Sequence, residues 1–187
     1  MRLFIAVWPP PEAVEELGAA VAEVQSLAPE LRWAPLRQWH LTLTFLGEVA
    51  DERRPELARR LTRAASRYPP LSLRFAEAGR FGHRVLFSKV SGDREALRHL
   101  AASTTAASRR AGLAVADRPY RPHLTLARSR RDVDLRPLVT ALGSFCGTDW
   151  TTSQLHLVQS RLGKGPSRTA MYETVDVWPL KGRAARK

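Results

Sequence analysis

The apolar positions of this chain fall into blocks of two periods. Residues 2–8, RLFIAVW, form a short apolar run that stops at Pro9 and reads as a buried first strand. A signal peptide is the alternative, because Arg2 precedes the run. The run is short, however, Glu12, Glu15 and Glu16 follow, and there is no small-residue cleavage site. Residues 10–28 carry prolines at the start, acids in the first turn and apolar residues at helical spacing, which predicts a helix of about four turns. Residues 31–39 read as an irregular or extended connection, and HLTLTF (40–45) alternates with period two, as a strand does. A second helix is expected within 51–70, strands at 71–78 and 84–90 around a turn at 79–82, and a third helix over 93–112. An Arg- and Pro-rich loop (116–122) leads into a second period-two strand at His123. A short helix (132–144) and two closing strands (151–162 and 169–178) complete the pattern, with GKGPSR (163–168) between them. The order β-α-β-α-ββ-α-β-α-ββ predicts an α+β fold rather than a doubly wound parallel sheet. No linker divides residues 1–180, which are expected to form a single domain, and 181–187 read as a disordered basic tail.

The tetrapeptide His-Leu-Thr-Leu occurs twice, at 40–43 and 123–126. On a strand, alternate side chains share a face, so each copy buries two leucines and presents an imidazole and a hydroxyl on the opposite side. A single copy reads as an ordinary edge strand. Two copies have no packing purpose that the leucines alone do not serve. If the strands lie close together, His40, Thr42, His123 and Thr125 converge on one cleft. That set suits phosphoester chemistry, in which a base takes a proton from the nucleophile and an acid protonates the leaving oxygen. Two imidazoles with ordinary pKa values of about 6.5 can divide these tasks, and hydroxyls can donate to phosphate oxygens. From the residues alone either histidine can be acid or base.

Composition narrows the partner. The chain has 187 residues, 44% of them apolar, enough for a core without staples. Cys146 is the only cysteine, so no intrachain disulfide forms, which fits a reducing, cytoplasmic setting. No apolar run approaches the ~20 residues of a membrane span. Thirty basic against 18 acidic residues give a net charge of +12, which attracts polyanions. The excess is almost all arginine, with lysine only at 89, 164, 181 and 187, so codon bias is the alternative to a nucleic-acid or nucleotide partner, which the charge favours without identifying.

The two copies and their flanks identify a family. RLFIAVWPP, WHLTLTFLGEV, FGHRVLFSKV, RPYRPHLTLAR, LHLVQSRLGKGP and YETVDVWPL resemble the two-histidine phosphoesterase superfamily, and within it the bacterial and archaeal RNA 2′,3′-cyclic phosphodiesterases, also called 2′-5′ RNA ligases. The resemblance implies two pseudo-symmetric α+β lobes, each with an antiparallel sheet, around a central cleft. It implies His40 as proton donor to the leaving oxygen, His123 as the base that activates water, and Thr42 and Thr125 as phosphate ligands. The substrate would be an RNA with a 2′,3′-cyclic phosphate end, or a cyclic nucleotide, opened to a 2′-phosphate by a monomer that needs no metal or other cofactor. The sequence carries no His, Cys, Asp and Glu at metal-ligand spacing. A 2′-5′ ligase using the same groups, and a non-catalytic RNA- or nucleotide-binding module, are the alternatives.

Arg128 and Phe45 occupy the same place, five residues after each histidine. The resemblance implies a phosphate contact for Arg128. Strict alternation puts both on the leucine side, so Arg128 needs a bulge or strand end to reach the cleft, and Phe45 reads as core. Trp39 also reads as core, and Trp33 as nearer the rim. Tyr120 and Arg121 are expected to border the cleft or lie on the surface, and Lys164 and Arg168 to reach RNA or remain solvated. His83, His99 and His156 lack the His-x-Thr pattern and read as structural, and Cys146 has no basic neighbour to activate it.

Overall fold

The structure, a computed structural model, describes residues 1–164 and 170–183. The chain runs β1 (Arg2–Val7), α1 (Pro11–Gln25), β2 (Arg32–Trp33), β3 (Leu41–Glu48), α2 (Arg54–Ala65), β4 (Leu71–Phe81), β5 (Val85–Gly92), α3 (Arg94–Arg110), β6 (His123–Arg128), α4 (Arg136–Ala141), β7 (Trp150–Thr152), β8 (Gln154–Arg161) and β9 (Met171–Pro179). These strands form two antiparallel sheets, ordered β3-β1-β8-β9 and β2-β6-β5-β4-β7. The fold is α+β, as the element order predicts.

Two strands depart from expectation. The segment 151–162 is not one strand: Trp150–Thr152 pairs with β4, and after Ser153 the chain crosses to pair Gln154–Arg161 with β1 and β9. Four consecutive polar residues, Thr151 to Gln154, span this crossing, and the buried positions change parity there, from Trp150 and Thr152 to Leu155 and Leu157, a break that the reading as one strand passes over. Arg32 and Trp33, expected as irregular connection, pair with Arg128 and Ala127. At the other end, Leu180 is buried and the Gly182 N–H donates to the Tyr68 carbonyl (2.8 Å), so the packed chain runs two positions into the expected tail. Residues 184–187 lie outside the described residues.

The helices tie the two sheets into one body. α1 follows β1 of the first sheet but packs on β4 of the second, while α3 follows β5 of the second and packs on β3 of the first. Ala13, Leu17, Val21 and Val24 recur at three- and four-residue spacing on α1 and are buried, as are Leu97, Leu100, Ala101 and Thr104 on α3. Together with Leu3, Ile5, Val7 and the motif leucines 41, 43, 124 and 126, the apolar members form one continuous core beneath both sheets. β1 is buried on both faces: Phe4 and Ala6 join Val158 in a smaller cluster on the cleft side, under Trp8 and Tyr172.

A buried hydroxyl chain locks α3 against β3. Thr44 Oγ1 lies 2.8 Å from Thr104 Oγ1 and 3.1 Å from Thr105 Oγ1, and Thr104 also reaches the Ala101 carbonyl (2.9 Å). Thr104→Val keeps the volume but strands Thr44 with one partner fewer, and is expected to cost about 1 kcal/mol. Thr44→Val/Thr104→Val removes both ends, so chemical denaturation should show it costing less than the sum of the single changes. Strict additivity contradicts the coupling.

Candidate active site

β3 is the outer strand of its sheet, and β6 is covered on its outer side only by the two-residue β2. These two near-edge strands meet across the seam between the sheets. His40 directly precedes β3 and His123 opens β6, so both imidazoles arrive at a cleft of about 660 Å³ that also receives Thr42, Thr125, Phe45, Phe81, Arg118, Tyr120, Arg121, Arg128 and Tyr172. The structure thus brings together all five residues the sequence nominates: His40, Thr42, His123, Thr125 and Arg128.

The same local irregularity shapes both strands. On β6 the register with β5 shifts between the Leu86–Ala127 and Phe87–Thr125 pairs. On β3 the register with β1 shifts between Ile5–Thr44 and Ala6–Thr42. One extra residue is absorbed in each case, so Leu126 and Ala127, like Leu43 and Thr44, are buried in succession and the next side chain returns to the cleft. This bulge brings Arg128 to the cleft, with Nη2 3.5 Å from Thr125 Oγ1. It also overturns the reading of Phe45 as core: Phe45 is 61% exposed and lines the cleft.

Each ring is held by the backbone. The Nδ1–H of His40 donates to the Gln38 carbonyl and that of His123 to the Arg121 carbonyl, both at 2.6 Å. A carbonyl only accepts, so Nδ1 carries the hydrogen and Nε2 is left to exchange protons. His40 Nε2 lies 2.9 Å from Thr42 Oγ1. Aromatic rings wall both imidazoles: Phe4 (4.9 Å between centroids), Tyr172 (5.2 Å) and Trp8 (5.3 Å) around His40, and Phe81 (4.8 Å) and Phe87 (5.5 Å) around His123. Burial among them disfavours the imidazolium and pulls His40 down to about 4, against the opposing pull of the Gln38 carbonyl and with help from His123 and Arg128. His123 is lowered for the same reason, burial first, with Arg128 adding to it. Tyr120 is raised by burial.

Among the described residues no carboxylate lines the cleft, while Arg118, Arg121 and Arg128 do, and none of the three is ion-paired there. Such a cleft attracts anions.

Other expectations resolve as follows. Trp39 is core, and Trp33 is half-buried with its indole N–H on the Ala28 carbonyl. Tyr120 and Arg121 border the cleft. Lys164 is exposed, and Arg168 lies outside the described residues. His83 and His99 are exposed and line no part of the cleft, and His156 is half-buried on β8, edge-on to Trp8. The aromatic wall was missed. Phe4 and Trp8 share a parity on the first strand, and this was the available signal, but an apolar strand gives no reason to assign either face to a cleft. Tyr172 and Phe81 carried no signal.

Comparison with known proteins accords with this geometry. Residues 9–164 match the family model described as the 2′-5′ RNA ligase superfamily. The RNA 2′,3′-cyclic phosphodiesterase of Thermus thermophilus is 33% identical over all of this chain and 94% of its own. That of Geobacillus stearothermophilus is 27% identical over 96% of this chain, which spans only 57% of that relative's length. Among solved structures, one from Thermus thermophilus superposes with a TM-score of 0.76 at 29% identity, covering 98% of this chain and 100% of that one. Escherichia coli LigT complexed with 3′-AMP superposes with 0.74 at 25%, covering 96% and 97%. With the match spanning most of its length and both His-x-Thr copies meeting in one cleft, this chain belongs to the 2′-5′ RNA ligase superfamily.

Proposed function

We propose that the protein opens RNA 2′,3′-cyclic phosphodiester ends to 2′-phosphomonoesters by paired histidine acid–base catalysis, without a metal. Its standing as an enzyme of the 2′,3′-cyclic phosphodiesterase and 2′-5′ RNA ligase type rests on the family and on curated relatives of near-equal length. The observation that carries the mechanism is the pair of imidazoles with Nδ1 tied to backbone and Nε2 turned away from it, in a cleft that holds three unpaired arginines and no carboxylate among the described residues.

In this reading Thr42, Thr125 and Arg128 hold the non-bridging phosphate oxygens. His123 Nε2 takes a proton from water as its oxygen bonds to phosphorus. The bond from phosphorus to the 3′ oxygen breaks, and His40 Nε2 gives that oxygen its proton. The product carries a 2′-phosphate and a 3′-hydroxyl, and each histidine ends in the other's starting state. The resemblance supplies the order of roles. Burial lowers both rings, so both favour the neutral form in the free protein and the shifts alone do not order the roles. His40 is driven so low that its imidazolium, once formed beside a phosphate anion, gives its proton up readily. Aromatic walls around both rings keep bulk water from competing for these protons. The family description also favours the companion reaction, in which an RNA 5′-hydroxyl takes the place of water and is joined through the same acid and base.

Two outcomes are expected. With EDTA present and a short RNA ending in a 2′,3′-cyclic phosphate, the wild type should yield the 2′-phosphate. His40→Ala and His123→Ala should each lower kcat by roughly 10²–10⁴-fold with little change in melting temperature. The double variant should be hardly slower than either single one. A 3′-phosphate product, or activity restored only by added divalent metal, would overturn the mechanism. The second outcome concerns pH. Reaction needs one imidazole neutral and one protonated, and both free-protein pKa values lie below 6.5. kcat/KM should therefore peak on the acid side of 6.5. A bound phosphodiester favours the imidazolium, so the kcat profile should sit at higher pH. A kcat/KM optimum at or above pH 7 contradicts the assignment.

A further inference from the structure

A second groove, of about 710 Å³, opens beside the cleft and is lined by Glu30, Arg32 and residues 129–133. Arg32 connects the two. It pairs with Arg128 across the antiparallel β2–β6 ladder, so both side chains stand on one face of the sheet, the face Arg128 presents to the cleft. Like charges directly opposite on neighbouring strands destabilise a sheet, and here no carboxylate within ion-pairing distance offsets them among the described residues. Such an arrangement is relieved by an anion.

Past Arg128 the chain is pinned rather than loose. The Ser129 N–H donates to the Arg84 carbonyl (2.8 Å), the Val133 N–H to the His83 carbonyl (3.0 Å), and the Arg131 N–H to Ser129 Oγ (3.1 Å). Between these anchors Arg130 and Arg131 project exposed and, among the described residues, without ion pairs. Asp132 is already engaged by Arg84 Nε at 2.7 Å, which leaves Glu30 as the one uncommitted carboxylate among the residues lining the groove, against three arginines.

We propose that this groove carries the RNA strand 5′ of the reacting end, with Arg32, Arg130 and Arg131 meeting backbone phosphates. The proposal rests on the reading that the cleft takes an RNA end, and it adds a preference for oligonucleotides over cyclic mononucleotides. Arginines on an anchored loop lose little freedom on binding, so each phosphate contact is retained at low cost.

The test compares Arg130→Ala/Arg131→Ala with Arg63→Ala/Arg67→Ala, which removes the same charge from exposed positions in the last turn of α2 and just beyond it. For the groove variant, the ratio of kcat/KM on a cyclic-ended hexanucleotide to kcat/KM on 2′,3′-cyclic AMP should fall on the order of tenfold. The dependence of log KM on log salt should flatten by about 1.4 for two lost single-strand contacts. The α2 variant should leave the ratio near that of the wild type. An equal fall on both substrates, or the same change in the α2 variant, overturns the groove. Absence of turnover on both substrates by the wild type would instead remove the catalytic reading. Anisotropy with a fluorescein-labelled hexanucleotide ending in a 2′-phosphate then decides the groove independently: it survives only if the groove variant binds about tenfold more weakly than the α2 variant.

Discussion

The site depends on one hydrogen bond made twice, from the Nδ1–H of each motif histidine to the carbonyl two residues earlier. It sets the tautomer, aims Nε2 into the cleft and opposes some of the pKa lowering that burial imposes. The two carbonyls are presented by different means. A 3-10 turn at Leu36–Gln38 precedes His40, whereas Arg121 stands before Pro122, a position biased toward extended backbone. Two unlike approaches therefore converge on the same bond length and the same bonded nitrogen. What the two share is the orientation of the imidazole rather than the approach to it.

Electrostatics in the cleft run against stability. Two imidazoles are walled by aromatic rings, three arginines share the space with no carboxylate among the described residues, and Arg32 and Arg128 face each other across strands. Elsewhere some arginines are paired, as Arg59 and Arg60 are with Glu56 and Arg136 is with Asp134, while others, Arg63 and Arg67 among them, have no ion pair among the described residues. What sets the cleft apart is the convergence of Arg118, Arg121 and Arg128 on a space that no carboxylate lines among the described residues. That clustering, which composition alone does not give, favours an anionic ligand as the meaning of these particular arginines.

The chemistry was more legible than the walls around it. A repeated His-x-Thr, with leucines between, states both the buried face and the exposed one, so His40, Thr42, His123 and Thr125 could be read directly from period-two patterning. Arg128 was legible only with a bulge assumed, and the same bulge misplaced Phe45, because alternation cannot count a residue that pairs with nothing. The crossing at Ser153 was read through although the polar run Thr151 to Gln154 breaks the alternation, because strand membership is decided by partners far away in the chain. Phe4, Trp8 and Tyr172 escaped because an apolar side chain reads as core whether it meets another element or a ligand cleft. The helices were legible since the stripe on α1 needs no knowledge of the sheet it covers, although that sheet is not the one it follows.

That exchange of helices is what makes an edge-to-edge site workable. A strand at a sheet edge leaves backbone donors and acceptors unpaired and invites association. Here one such strand, β3, and one covered only by the two-residue β2, β6, meet each other and enclose the cleft between them. Lobes joined only by a linker would let the imidazoles drift by more than the proposed acid–base catalysis tolerates, since each proton transfer requires hydrogen-bond distance, one to the attacking and one to the leaving oxygen. Packing α1 on β4 and α3 on β3 removes that freedom by placing one core under both sheets. The Thr44–Thr104 bond then fixes α3 to the residue that lies between Leu43 and Phe45 at the bulge. Rigidity at the seam and flexibility of approach to it are thereby separated: the backs of β3 and β6 are buried, and the rims that a substrate must cross, Arg121 and Arg130 among them, are exposed.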